Sequence, residues 1–265
     1  IDCSISFDKG FSMMNQEYQP PAPQNVLLIL FMTIIGIIVM NVLPFASENI
    51  FLLAGELFII LPALFYIWRI KHPFIKAFRI KPISLKKCCA SVILFMPVYI
   101  ITDEIDRLVL FFFPIPDELA GAIRDMVTFT SVSHALFLIL TGVLIAAIVE
   151  EMLFRGLFQQ SLEYFRDPAI AIVLASVLFA ILHFNPWTSL QILLLGLLLG
   201  YITWQTGSIF PAVILHALNN AVSITFINLS PEQMSWYIRN GHVHWPWLLF
   251  AIVFIIPAFR YFLKK

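Results

Sequence analysis

Two adjacent carboxylates, Glu150 and Glu151, interrupt a long apolar stretch, and Arg155 follows four positions after the second. Ionisable groups in such surroundings are costly and point to function. Residues four apart share one face of a helix, so Glu151 and Arg155 pair with each other in a supporting role. Glu150 is rotated about 100° from Glu151. It lacks that cation and is free for chemistry. Two later segments carry groups that could work with it. Phe179 and His183 stand four apart at the end of one apolar segment, so the ring packs beside the imidazole. His216 and Asn220 stand four apart in another, with Asn219 beside them. A carboxylate next to an imidazole can hold and deprotonate a water. An imidazole and a carboxamide can donate hydrogen bonds to a developing oxyanion. The set therefore suits hydrolysis of a peptide carbonyl without a covalent intermediate. Glu150 is the expected general base, His183 the second holder of the water, and His216 with Asn220 the oxyanion donors.

Three rival chemistries draw on similar residues. Glu150, His183 and His216 could form a catalytic zinc set of two histidines and a glutamate, although the helical H-E-x-x-H motif is absent. A buried Glu and His could also relay protons in a coupled transporter. That reading calls for inverted repeats, and no matching halves are visible. A serine triad has no G-x-S-x-G elbow, and Ser161 has no base at helical spacing.

The elements that must position these groups are membrane helices. Of 265 residues 60% are hydrophobic and 12% charged, with mean hydropathy +0.91, where a soluble domain carries roughly 25% charged residues. Apolar stretches run over about 25–44, 50–68, 88–113, 135–162, 169–184, 188–205, 209–227 and 245–262. The fold class is therefore all-α, a polytopic membrane bundle of about eight transmembrane helices. Residues 1–24 read as a polar lead-in and 25–265 as a single transmembrane domain, with a motif-bearing core at about 135–227. The chain starts at Ile1 without Met, which suggests that something upstream has been removed. Cys3, Cys88 and Cys89 are too few for a disulfide framework; Cys88 and Cys89, in a basic segment, are expected to be reduced thiols, with S-acylation as the weaker alternative. The formal charge is zero, so no nucleic-acid partner is expected.

Depth along the helices can be compared. Taking Asp167 as a turn, Glu150 lies 17 residues before it and His183 16 after, each about 25 Å away. His216 is only about 14 Å beyond the turn near Gly207. For it to meet Glu150, either the hairpin around Asp167 projects about 10 Å beyond the membrane or the helix carrying His216 starts deeper. Orientation follows from the basic residues. Arg69, Lys71, Lys76, Arg79, Lys81, Lys86, Lys87, Arg166, Arg260, Lys264, Lys265 and Lys9 fall on one side, and only Arg124 and Arg239 on the other. Both termini are expected to be cytoplasmic. Segment 70–87 is either a basic interfacial helix or a solvated loop. A second charged cluster, Asp103, Glu104, Asp106 and Arg107, reads as a wet helix end with Asp103 and Arg107 paired. His72, His134, His242 and His244 read as loop residues without a role.

Taken in order, Glu150-Glu151-x-x-x-Arg155, Phe179-x-x-x-His183 and His216-x-x-x-Asn220 resemble the CAAX-protease and bacteriocin-processing (CPBP, or Abi) family, which includes the CAAX prenyl endopeptidase. The resemblance covers about 145–225. It implies a glutamate-dependent intramembrane endopeptidase with no metal and no other cofactor, its site in a cavity open to the cytoplasm or laterally to lipid. On that analogy Glu150 and His183 activate water, His216 and Asn220 stabilise the oxyanion, and Glu151 and Arg155 support the site. The expected partner is a membrane-anchored or lipidated peptide, either prenylated or a sorting-signal type. The family also holds members that are not CAAX proteases, so substrate identity does not carry over, and a non-catalytic shielding role stays open.

Overall fold

The computed structural model describes residues 18–40, 42 and 48–263. The helices are α1 (Pro23–Met40), α2 (Glu48–Arg69), α3 (Phe74–Ala77), α4 (Leu85–Phe112), α5 (Asp117–Val127), α6 (Val132–Phe165), α7 (Pro168–Ile181), α8 (Ser189–Thr206), α9 (Phe210–Ile227) and α10 (Trp245–Leu263). A two-stranded hairpin, β1 (Ile238–Arg239) and β2 (His242–Val243), precedes α10. Lys9, Lys264, Lys265, Cys3 and most of the polar lead-in lie outside the described residues.

The chain is an integral, multi-pass membrane protein. Among the described residues seven helices (α1, α2, α4, α6, α8, α9 and α10) are long and apolar enough to cross a bilayer. The fifth apolar segment, 169–184, became α7, only 14 residues long. At about 1.5 Å per residue that is roughly 21 Å, short of a 30 Å hydrocarbon core. Large apolar side chains on the outer faces, such as Phe31, Trp68 and Ile252, are exposed as lipid-facing residues must be. α5 was not foreseen from the apolar pattern. It is amphipathic, with Asp117 and Glu118 in its first turn, and buries no residue.

Two cores flank the future site. One gathers Val149, Leu153 and Leu157 of α6 with Ile60 and Ala63 of α2, Val26 of α1 and Phe179 of α7. The other gathers Leu195 and Leu199 of α8 with Leu215 of α9, Leu94 of α4 and Phe262 of α10. α6 joins them through a polar row at four-residue spacing. Arg155 donates from Nη2 to the Gly196 carbonyl at 3.2 Å, and Gln159 donates from Nε2 to the Gly200 carbonyl at 2.9 Å. Gly196 and Gly200 make this possible. A Cβ on Gly200 would sit 2.8 Å from Gln159 Oε1, and one on Gly196 would sit 3.1 Å from Ser176 Cβ. Small residues four apart let membrane helices approach closely.

The basic segment after α2 is neither a long interfacial helix nor a free loop. α3 spans four residues, and Ala77 and Phe78 are fully buried. Phe78 lies against Gly156, where a Cβ would come within 2.9 Å of the Phe78 Cα. The next residue, Arg79, accepts from the Ile209 N–H at 3.2 Å through its carbonyl and pairs with Glu163 through its guanidinium. Residues 156 and 209 are thus held level by one short segment. The end of α6 lies nine residues, about 14 Å, beyond that level.

Candidate active site

α6 is not a uniform α-helix. Two π-helical stretches, Ile139–Ile145 and Met152–Phe158, flank the α-helical Ala146–Glu151. π turns mark places where side chains are re-aimed, frequently at functional sites. The second stretch contains Arg155, yet Arg155 Nη1 still reaches Glu151 Oε1 at 2.7 Å. The guanidinium also lies over the Phe179 ring, 4.2 Å from its centroid. Arg155 and Glu151 are both buried, so each neutralises the other where water cannot.

Glu151 has a second partner. His216 Nδ1 lies 2.9 Å from the same Oε1. A carboxylate can only accept, so Nδ1 is the donor, and Nε2 is turned the other way. It lies 3.9 Å from Glu150 Oε2. The two neighbouring carboxylates therefore contact opposite nitrogens of one imidazole. This extends the supporting role expected of Glu151: it also orients His216.

His183 is fixed by the end of α7. Its backbone N–H turns to the Ala180 carbonyl, which releases the Phe179 carbonyl from the helical pattern. That carbonyl lies 2.7 Å from His183 Nδ1 and accepts its proton. Such released carbonyls are the usual acceptors at a helix C-terminus. His183 Nε2 then faces Glu150 Oε2 at 3.8 Å. The next residue, Phe184, is left-handed at φ 50° and turns the chain away.

Phe179 packs edge-on against His183 at 4.6 Å and against His216 at 5.7 Å, and touches Phe154 at 5.0 Å. It is a spacer between the imidazoles as well as the neighbour of His183 that the spacing predicts. Asn220 donates from Nδ2 to the Gly142 carbonyl in the first π stretch at 3.0 Å. Asn219 Nδ2 lies 3.5 Å from Asn220 Oδ1. One of the two N–H groups of Asn220 is therefore spent on the scaffold.

Glu150 Oε2 makes no hydrogen bond among the described residues. Side-chain exposure is 13% for Glu150, 31% for His183 and 4% for His216. The site is therefore open on the His183 side and closed behind His216. A cavity of about 90 Å³ lies on that open side, lined by Thr33, Ile59, Glu150, Leu153, Phe154 and His183 among others. Among the described residues no group of three or more His, Cys, Asp or Glu side chains stands ready to hold a metal ion.

The second charged cluster lies apart. Arg107 pairs with Asp103 at 3.2 Å, as its spacing predicts. Glu104 accepts from His242 Nδ1 at 2.8 Å and from the Val243 N–H at 2.7 Å. His242 thus has a structural task, tying the hairpin to α4, that its place in a loop did not reveal. Glu56, in α2, was missed altogether. Its Oε2 is buried with no hydrogen-bond partner among the described residues, and its signal was a single acid in an apolar stretch.

The site residues all fall inside one matched segment. Residues 132–222 match the family model described as type II CAAX prenyl endopeptidase Rce1-like. Comparison with curated proteins gives no match, and neither does comparison with solved structures. The stretch from Val132 to Val222, which holds Glu150, His183, His216 and Asn220, is thus similar to the Rce1-like family.

Proposed function

We propose that the protein is an intramembrane endopeptidase in which Glu150 and His183 activate a water for attack on a peptide carbonyl. The observation that carries this is the buried, unbonded Oε2 of Glu150, 3.8 Å from one imidazole nitrogen and 3.9 Å from another. Both distances are too long for a direct hydrogen bond, but they let one water sit within about 2.8 Å of Glu150 and His183 together. His183 donates through Nδ1 to Phe179, so its neutral ring offers the Nε2 lone pair to that water. Glu150 takes the proton as the oxygen attacks, and returns it to the leaving amine as the C–N bond breaks.

The oxyanion would form beside His216 and Asn220. For Nε2 to donate, His216 must carry both ring protons, and that charge faces Glu151 at 2.9 Å and Glu150 at 3.9 Å. The second N–H of Asn220, not used by Gly142, completes the pair of donors. The matched family's description names prenyl endopeptidases acting at CAAX sequences. The substrate class proposed here is accordingly a peptide tethered to the membrane by a lipid, presented to the cavity beside α1 and α2. No metal or cofactor takes part.

We also place the end bearing Arg69, Lys76, Arg79 and Arg166 in the cytoplasm. Lys87 Nζ bonds the Phe262 carbonyl at 2.6 Å, so the end of α10 joins the same side. The test is cleavage of a prenylated C-terminal peptide by the purified protein in liposomes, with and without a chelator. Cleavage unchanged by the chelator is expected. Activity lost to the chelator and restored by zinc would overturn the metal-free mechanism.

A further inference from the structure

The second charged cluster borders a cavity that the proposed proteolysis does not use. About 740 Å³ of space lies between α4, α5, α8, α9 and the hairpin, at the far end of α4 from the basic segment. It shares no lining residue with the cavity beside Glu150. Asp103, Asp106, Arg107 and Arg124 all line it. Arg107 pairs with Asp103 at 3.2 Å. Asp106 is only 9% exposed, and its Oδ1 has no hydrogen-bond partner among the described residues. A buried carboxyl oxygen left without a donor is costly. Arg124 comes from α5, whose end is tied to α9. The Phe129 N–H donates to Asn228 Oδ1 at 2.7 Å, and Asn228 Nδ2 donates to the Val127 carbonyl at 2.9 Å.

The cavity lies at the depth of lipid headgroups. Asp106 is six residues before the end of α4 at Phe112, about 9 Å along the axis. Trp236 and Trp245, on either side of the hairpin, are exposed, and tryptophans gather at the membrane–water boundary. α5 is amphipathic and buries no residue in the protein, as suits a helix lying in that boundary. We propose that the cavity binds the headgroup of an ethanolamine phospholipid, with its ammonium on Asp106 and its phosphate on Arg124. The charges of Asp103, Asp106, Arg107 and Arg124 cancel, which matches a ligand carrying one charge of each sign. A primary ammonium brings both the donor and the charge that Asp106 lacks. A choline headgroup carries the same charges but has no N–H to give. Two guanidinium groups in the same lining disfavour a bare metal ion. Leu110 and Phe226, also in the lining, offer apolar surface to the start of the acyl chains.

The test is native mass spectrometry of the purified protein in detergent, titrated with phosphatidylethanolamine or phosphatidylcholine of the same acyl chains. Wild type should retain the ethanolamine lipid about tenfold or more over the choline lipid. Equal retention overturns the proposal, and this comparison needs no variant. Asp106→Asn should bring the ratio to within about twofold of one. A folded Asp106→Asn protein that keeps the wild-type ratio overturns the proposal. Arg124→Ala, at an exposed position, should weaken both lipids alike, because both carry the phosphate. Unchanged binding of both overturns the pairing of two charges. Soluble phosphoethanolamine, added at the concentration of the lipid, should not displace it. Displacement would assign the cavity to a free zwitterion and overturn the lipid assignment.

Discussion

At the scale of single residues, the site turns on two neighbouring glutamates with opposite surroundings. Glu151 is fully buried between Arg155 and His216, while Glu150 keeps one oxygen unbonded beside a cavity. Removing one partner of a buried ion pair leaves an uncompensated charge and costs about 3–5 kcal/mol. Glu151→Gln should therefore lower thermal stability and abolish activity. The double variant Glu151→Gln with Arg155→Met should recover much of the stability and none of the activity, because His216 stays unoriented. A Glu151→Gln protein as stable as wild type would contradict this assignment. Asn220→Ala should leave the fold intact and cut kcat by roughly 10²–10³, the usual cost of one oxyanion donor. An unchanged kcat would remove Asn220 from the chemistry. The pairing of Glu151 with Arg155 and of Phe179 with His183 was legible because each follows from helical spacing alone. The contact of Glu151 with His216 was not, since it joins residues 65 positions apart.

At the scale of elements, α6 works as a beam. Glu151, Arg155, Gln159 and Glu163 recur every four residues, and each has a partner on another element: His216, Gly196, Gly200 and Arg79. Close approach of the Phe78 backbone at Gly156 and of the Gln159 side chain at Gly200 sets the spacing. In Gly156→Ala the new methyl would meet the Phe78 backbone, which cannot rotate aside as a side chain can. Overpacking of this kind costs about 1–3 kcal/mol. A lower melting temperature and reduced activity are expected, although residue 156 touches no catalytic group. Wild-type melting would show that segment 78–79 does not pin α6. The apolar runs made all eight membrane-type segments legible, with ends within a few residues. α5 was hidden because its amphipathic pattern is not a membrane signal. The π stretches were hidden too, since Ile139–Ile145 and Met152–Phe158 read as ordinary helix. Gln159 and Glu163 continued a visible four-residue spacing, but showed their purpose only with α8 and Arg79 in place.

At the scale of the whole molecule, the groups proposed for catalysis, from α6, α9 and the end of α7, meet at a seam between two cores, close to α1 and α2. The short α7 matters for this arrangement. A full-length span would hold His183 inside the helix, where its backbone N–H would take the Phe179 carbonyl that now accepts from its ring. Orientation can be tested with single cysteines in a chain freed of Cys3, Cys88 and Cys89. A membrane-impermeant maleimide should label Arg239→Cys on intact cells and Arg166→Cys only after permeabilisation. The reverse pattern would invert the proposed topology. The central claim, that Glu150 activates the attacking water, is tested most directly by the cleavage rate of purified Glu150→Gln in liposomes under metal-free conditions. The change keeps the side chain's shape and removes its basicity. A folded protein with cleavage reduced by about 10²–10⁴ is the expected result, and cleavage at the wild-type rate would contradict it.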